Sequence, residues 1–534
     1  MSEKSETNIA SILEYGLRDF QRLLQKASFL ECGCDSGQAI GDVRILLLIC
    51  GVTSIGSANA QFIQSQLEFD VPIDSHRVLK DSEGGNVWIA LTGRSATSQK
   101  YLGLYPVREE SVDPDAVIEV LLPPEILFFD AGRVGEEMKL LFLSPRGVSE
   151  LDPESGTIHR ILDISSIYRS PSKARVTELD FLMDVNQDGR EDIVLPDFEG
   201  LRIAFQTDSG FEAGDLLDIQ PDSRFAGGEA RYLVNTMHHF DFTLDGQKDL
   251  AIIEDNHILV FEGSAAGFAR KGRSMPIDIE LADEGRERYE DRVVEIDQSD
   301  YRLSRIDQVV DLNGDELPDI LTITTISSGL FNKRTEYRAH LGRHGADGVS
   351  YVPEPDGDIP SDGIQVDLST LDSANGKDLV STSFRIGFGE IISALFSRSI
   401  KVNVELFRIG EEPLYSPEAD YRAKVKLRFN LSTGFVNVPA VRFGDFDGDG
   451  FTDLMLQQDT EGLEIRLGDG QDFKSGTLQY STTLPRDGTL IKVVDVNGDE
   501  RQDVLVGFGR GDSDGMRNRL HVLLAHPTHE GSRK

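Results

Sequence analysis

Residues 444–456 read GDFDGDGFTDLML. Asp445, Asp447 and Asp449 alternate with Phe446 and Gly448; Gly450 follows, then Asp453 and an apolar run. Three carboxylates two residues apart share one side of a tight loop only if a cation neutralises them. A hard divalent ion with oxygen ligands does this, and calcium accepts irregular loops where magnesium demands near-octahedral geometry. Gly450 permits the sharp turn that brings Asp453 back to the ion. Phe451, between them, offers its backbone carbonyl.

The same nine-residue frame recurs along the chain. Asp184, Asn186, Asp188 and Asp192 form one copy, with Arg190 at the carbonyl position. Asp311, Asn313, Asp315 and Asp319 form another, with Leu317 there. Asp495, Asn497, Asp499 and Asp503 form a third, with Arg501. A weaker copy is Asp241, Thr243, Asp245 and Asp249, with Gln247; Thr243 puts a hydroxyl where the others have a carboxylate or amide. In two copies Glu316 and Glu500 replace the turn glycine, while Gly314 and Gly498 stand two positions earlier, so those turns are expected to differ in detail.

An EF-hand loop also begins with alternating acidic residues, but it needs a bidentate Glu at its twelfth position and helices on both sides. Here the twelfth residues are Leu195, Ile252, Thr322, Leu456 and Val506, and none offers a carboxylate. Each loop leads into β-branched and aliphatic residues, which predict buried strands. An ordinary Asp/Gly turn accounts for one copy; five copies in one frame favour a metal loop.

The plan of polar loop then apolar strand recurs in degenerate form at Asp81 to Asn86, Asp130 to Glu137 and Thr370 to Lys377. Loop starts near 81, 130, 184, 241, 311, 372, 445 and 495 give a period of 50 to 70 residues, enough for four strands and their turns. That is the range of a propeller blade. The sequence therefore predicts an all-β propeller of eight four-stranded blades, with seven as the alternative. The last segment has only three strands, and Phe62 to Pro72 has the pattern of the missing fourth, so the N-terminal strand of the mature chain is expected to close the ring.

These loops and the strands after them resemble FG-GAP and VCBS repeats, the calcium-binding blade motif of integrin α-subunit propellers and of many bacterial exported proteins. The resemblance covers nearly all of residues 62 to 525 and is most specific at 184–192, 311–319, 445–453 and 495–503. It implies that each loop joins the first and second strands of a blade, and that about four to five calcium ions sit on one rim of the disc. The loops near 81, 130 and 372 depart from the pattern.

The chain has 534 residues and a net charge of −38, which makes nucleic acid and anionic membranes poor partners. Residues 45 to 55 form an apolar core behind Arg44, followed by Ser57-Ala58-Asn59-Ala60 with the small-residue spacing of a signal-peptidase site. Residues 1–60 thus read as a leader and signal peptide, 61–525 as a single propeller domain and 526–534 as a tail. Cleavage there removes Cys32, Cys34 and Cys50, the three cysteines, and leaves a charge of −36. The expected location is periplasmic, cell-surface or secreted, with no membrane insertion after processing.

Residues 386 to 432 break the period with a strand-rich, basic stretch, read as an elongated hairpin of the sixth blade or as an inserted arm that touches a partner. Residues 277 to 302 read as a charged exposed connection. The sequence carries no G-x-S-x-G, H-E-x-x-H, Walker or dinucleotide motif. His238 and His239 are adjacent, so on a strand they face opposite ways. Arg510-Gly511-Asp512 spells an integrin-binding tripeptide, a short match in a chain rich in Gly and Asp. The expected function is a monomeric calcium-stabilised module that binds protein or polysaccharide. A polysaccharide lyase or hydrolase with its site in the central channel is the alternative.

Overall fold

The computed structural model describes residues 61–526 except 70–71, 81–86, 96–97, 109–110, 114–117, 136, 153–154, 169–174, 227–228, 234–235, 255, 265–266, 285–299, 330–331, 362, 386–396, 398, 430–435, 438, 471, 510 and 514. The leader, its three cysteines and the tail from 527 lie outside the described residues.

Among the described residues, beside three two-stranded ribbons, eight sheets follow one another along the chain, four with four strands and four with five, antiparallel but for one marginal strand. Their first strands are Ile73–Lys80, Phe128–Val134, Leu182–Met183, Met237–Phe240, Asp300–Val310, Ile364–Ser373, Val441–Gly444 and Ile491–Val494. We number these blades 1 to 8. Blade 8 is completed by Gln61–Glu68, which pairs with Arg519–His526 over its whole length. The chain is thus an eight-bladed propeller closed by its N-terminal strand.

The extra strands sit at sheet margins. In blade 2 Thr177–Glu178 runs parallel to the first strand. In blade 5 Asp283–Glu284 pairs with the first strand, so the charged 277–302 stretch is partly strand. In blade 6 Ser399–Phe407 and Tyr421–Phe429 are the third and fourth strands.

Packing explains why the second strands are apolar without interruption. Each blade is covered on both faces, so successive residues serve different neighbours. In blade 7, Leu454 and Leu456 pack against blade 6 while Met455, between them, packs against blade 8. In blade 3, Ile193 and Leu195 face blade 2 and Val194 faces blade 4. Eight hydrophobic clusters result, one at each joint between consecutive blades. The cluster at the joint of blades 8 and 1 joins Leu67, Leu505 and Val522 to Ile89, Leu91 and Tyr105, which closes the circle. Burying each such side chain contributes about 1.5–3 kcal/mol.

First strands of consecutive blades touch one another around the axis. Arg442 donates to the carbonyl of Ile491 at 2.9 Å, and Lys492 to that of His76 at 3.3 Å. Arg77 reaches Asp130 at 2.6 Å, and Gln308 reaches the carbonyl of Leu368 at 3.0 Å. Asp130 was expected in a degenerate loop. It lies instead within the first strand of blade 2, where its second oxygen accepts the N–H groups of Phe181 and Leu182 in blade 3. The degenerate stretch at 370–377 is likewise a tight hairpin, with Ser373 opposite Gly376, and has no room for the nine-residue frame.

Candidate metal loops on the blades

All five acidic frames join the first and second strands of their blades: blade 3 at 184–192, blade 4 at 241–249, blade 5 at 311–319, blade 7 at 445–453 and blade 8 at 495–503. They share one internal geometry. The first Asp accepts backbone N–H groups from the far side of its own turn. Asp445 takes that of Gly448 at 2.6 Å through Oδ1 and that of Gly450 at 2.7 Å through Oδ2. Asp311 does the same with Gly314 and Glu316, while Asp184 and Asp241 take the sixth-residue N–H of Gly189 and Gly246 and Asp495 takes that of Gly498. The fifth residue, Asp188, Asp245, Asp315, Asp449 or Asp499, accepts the N–H of the seventh, which is Arg190, Gln247, Leu317, Phe451 or Arg501.

Such a curl needs two left-handed residues. They are Gln187 and Gly189, Leu244 and Gly246, Gly314 and Glu316, Gly448 and Gly450, and Gly498 and Glu500. The turns carrying Glu316 and Glu500 were expected to differ. They do not: both glutamates adopt the left-handed conformation, at φ 67° and 70°. A non-glycine residue there costs roughly 1–2 kcal/mol, which the hydrogen-bonded loop offsets.

The ninth residue is fully buried in every copy, at Asp192, Asp249, Asp319, Asp453 and Asp503. It ties the loop to the third strand. Asp453 accepts the N–H of Phe446 at 2.9 Å through one oxygen and that of Gly468 at 2.8 Å through the other. Asp503 does so with Val496 and Ala525, and Asp319 with Leu312 and Gly342. Burial pushes Asp319 and Asp453 up to about 7 and Asp192 and Asp503 up to about 6, against these N–H groups, and the other loop carboxylates add to the rise. A bound cation would relieve that crowding.

The copies differ in how well their donors suit a metal. In blade 7, carboxylate oxygens of Asp445, Asp447 and Asp453 lie within 4.8 Å of one another, an all-oxygen set that suits a hard cation. In blades 3, 5 and 8 the third residue is Asn186, Asn313 or Asn497, whose amide donates to the fifth carboxylate at 3.2, 3.0 and 3.0 Å. In blade 8 two cations already stand on the loop: Lys80 lies 2.8 Å from Asp495 and Arg501 lies 2.6 Å from Asp499. The position of Lys80 was not legible in the sequence, because it comes from the next blade around the ring.

The structure also brings together groups that no motif marked. Arg77 of blade 1 meets Asp130 at 2.6 Å, Glu178 at 2.8 Å and Asp180 at 3.2 Å, and Lys492 of blade 8 lies 3.4 Å from Glu178. This network ties blades 8, 1, 2 and 3 beside the axis. His238 and His239 lie on the first strand of blade 4, and burial pushes the His239 imidazole down. Asp512 of the RGD tripeptide spends its carboxylate on the N–H groups of Arg486 and Gly509, both at 2.8 Å, and Arg510 lies outside the described residues. Among the described residues, no helix is long and apolar enough to cross a membrane.

A family model described as an FG-GAP-like repeat matches residues 430–506, which hold the loops of blades 7 and 8. No curated protein matches this sequence. Among solved structures, a lectin of Agrocybe aegerita that recognises non-reducing terminal N-acetylglucosamine is 14% identical with a TM-score of 0.36, covering 72% of this chain and 96% of its own. The V. cholerae biofilm matrix protein Bap1 is 13% identical with a TM-score of 0.26, covering 88% of each chain. The dihydro-heme d1 dehydrogenase NirN is 12% identical with a TM-score of 0.31, covering 78% of each. At such scores none of the three bears on what this chain binds.

Proposed function

We propose that this eight-bladed propeller, whose residues 430–506 match an FG-GAP-like repeat, is an exported binding module for protein or glycan, with calcium held structurally in its blade loops. The observation that carries the metal assignment is the convergence of Asp445, Asp447 and Asp453 in blade 7, within a loop geometry that four other blades repeat. Asp445, Asp447, Asp449 and Asp453 would hold the ion there. Asp184, Asp188 and Asp192, Asp241, Asp245 and Asp249, Asp311, Asp315 and Asp319, and Asp495, Asp499 and Asp503 are the corresponding carboxylates elsewhere. Bound calcium supplies positive charge to crowded carboxylates and fixes the turn between first and second strands.

The chain's own residues set what that does mechanically. The ninth Asp of each frame already spans the loop and the third strand, so fixing its carboxylate stiffens a whole blade. Stiff blades hold their rims and outer edges in place for a partner. The export reading rests on the 45–60 stretch, and extracellular calcium modules generally bind at about 0.1–1 mM, which an exported chain would meet.

The test uses the full chain, stripped with chelator and reloaded with calcium, applied to a glycan array and to immobilised cell-surface protein. Retention of glycan or protein without release of reducing ends supports a binding module. Turnover of a polysaccharide refutes it in favour of an enzyme.

A further inference from the structure

We propose that the outer face of blade 6 is a binding surface for a linear anionic polysaccharide, an inference that rests on the binding-module reading and gives it a place and a ligand class. In Tyr421–Phe429 the residues alternate: Tyr421, Ala423 and Val425 are buried, and Arg422, Lys424 and Lys426 are exposed. The buried set packs against blade 7 with Leu454, Leu456 and Phe473. The exposed set therefore forms a row of cations on the opposite face, one about every 7 Å at strand spacing. Lys401 of the neighbouring strand is also exposed and stands directly opposite Lys426.

Two like charges facing each other across a ladder are unfavourable. The chain holds 92 acidic residues, yet among the described residues the one ion pair to this row is Glu405, 2.9 Å from Arg422. Among the described residues Lys401, Lys424 and Lys426 have no ion-pair partner. A cationic stripe kept on a chain of net charge −38 is complementary to a polyanion.

Shape selects the kind of polyanion. The stripe is two strands wide, roughly 10 Å. A globular acidic partner, or a second copy of this chain, would bring a broad negative surface against a strongly acidic molecule. A slender polymer lying along the stripe feels mainly the charges within a Debye length of about 8 Å. Single-stranded nucleic acid is also slender, but it is gripped by rings that stack on bases. Here the described aromatic of the strand, Tyr421, is turned into the core at 7% exposure.

The experiment compares the full chain with the triple variant Lys401→Gln/Lys424→Gln/Lys426→Gln in 1 mM calcium. Probes are hyaluronate, neutral dextran and a single-stranded oligothymidylate, at 50 and 300 mM NaCl. All three positions are exposed, so the variant is expected to melt with the parent. The proposal predicts hyaluronate binding that weakens at least tenfold at the higher salt and at least tenfold in the variant. Hyaluronate binding that the variant keeps unchanged overturns it. So does equal or tighter binding of the oligothymidylate. A parent that ignores hyaluronate but is retained on neutral glycans or protein overturns this surface and leaves the binding-module reading standing. A parent retained on nothing overturns both.

Discussion

Phe62 stands opposite Ala525 in the outermost pairing of blade 8. The first and last strands of the described residues therefore share one sheet, and the side chains of Phe62 and Leu67 reach the joints on both sides of blade 8. Phe62 also packs edge-on against Tyr480 at 5.1 Å and Phe446 at 6.4 Å, so it reaches into blade 7.

Deleting residues 61–69 should abolish cooperative melting of the whole ring, because blade 8 loses a strand and two joints lose Phe62 and Leu67. Phe62→Ala alone should cost about 3–5 kcal/mol. Denaturant unfolding monitored by fluorescence checks both. A deletion variant that unfolds at the parent's midpoint contradicts closure by this strand.

The ninth Asp of each loop holds a blade together even before any metal is considered. Asp453→Ala should cost about 2–4 kcal/mol, since it strands the N–H groups of Phe446 and Gly468 in the core. Asp453→Asn keeps an acceptor and should cost less. If the two variants melt alike, the tie to the third strand is not what matters.

Glu316→Gly and Glu500→Gly should each stabilise the protein by up to about 1 kcal/mol, because both glutamates are exposed and sit at positive φ. Local amide exchange around each turn is the suitable readout in so large a ring. Faster exchange in the glycine variants would show that the side chains contribute more than the backbone strain removes.

Asp197 sets an acid limit. Burial alone would raise it, but hydrogen bonds from Arg202, Ser165 and the N–H of Phe198, with the Arg202 charge, hold it down at about 2. A depressed carboxylate contributes stability above its unfolded value near 3.9, and that contribution is lost as pH falls toward about 2. Asp197→Asn should therefore be less stable than the parent at pH 6, with the gap narrowing from pH 4 to pH 2. A gap constant across that range contradicts this account.

Much of this was legible in the sequence because it is local. The spacing of Asp445, Asp447, Asp449 and Asp453 and the apolar run after them mark a loop and its buried strand in one stretch. Blade number and closure followed from the period and from one unpaired strand pattern. What escaped needs neighbours. Asp130 looked like a loop residue, and only the stacking of first strands puts it between Arg77 and Phe181. The turns at Glu316 and Glu500 were misjudged because glycine preference was weighed as a requirement. The basic strand at 421–429 was visible as a composition shift, but which of its faces is exposed depends on where blade 7 lies.

Calcium in the acidic loops is what would fix the blades of this ring. Isothermal titration of the chelator-stripped full chain, with Asp445→Asn/Asp447→Asn beside it, tests this most directly. The prediction is saturable uptake of about four to five ions, one fewer in the variant, with stability rising by about 1.4 kcal/mol per filled site at tenfold excess over Kd. No heat of binding at millimolar calcium, together with identical melts in chelator and in calcium, would contradict it.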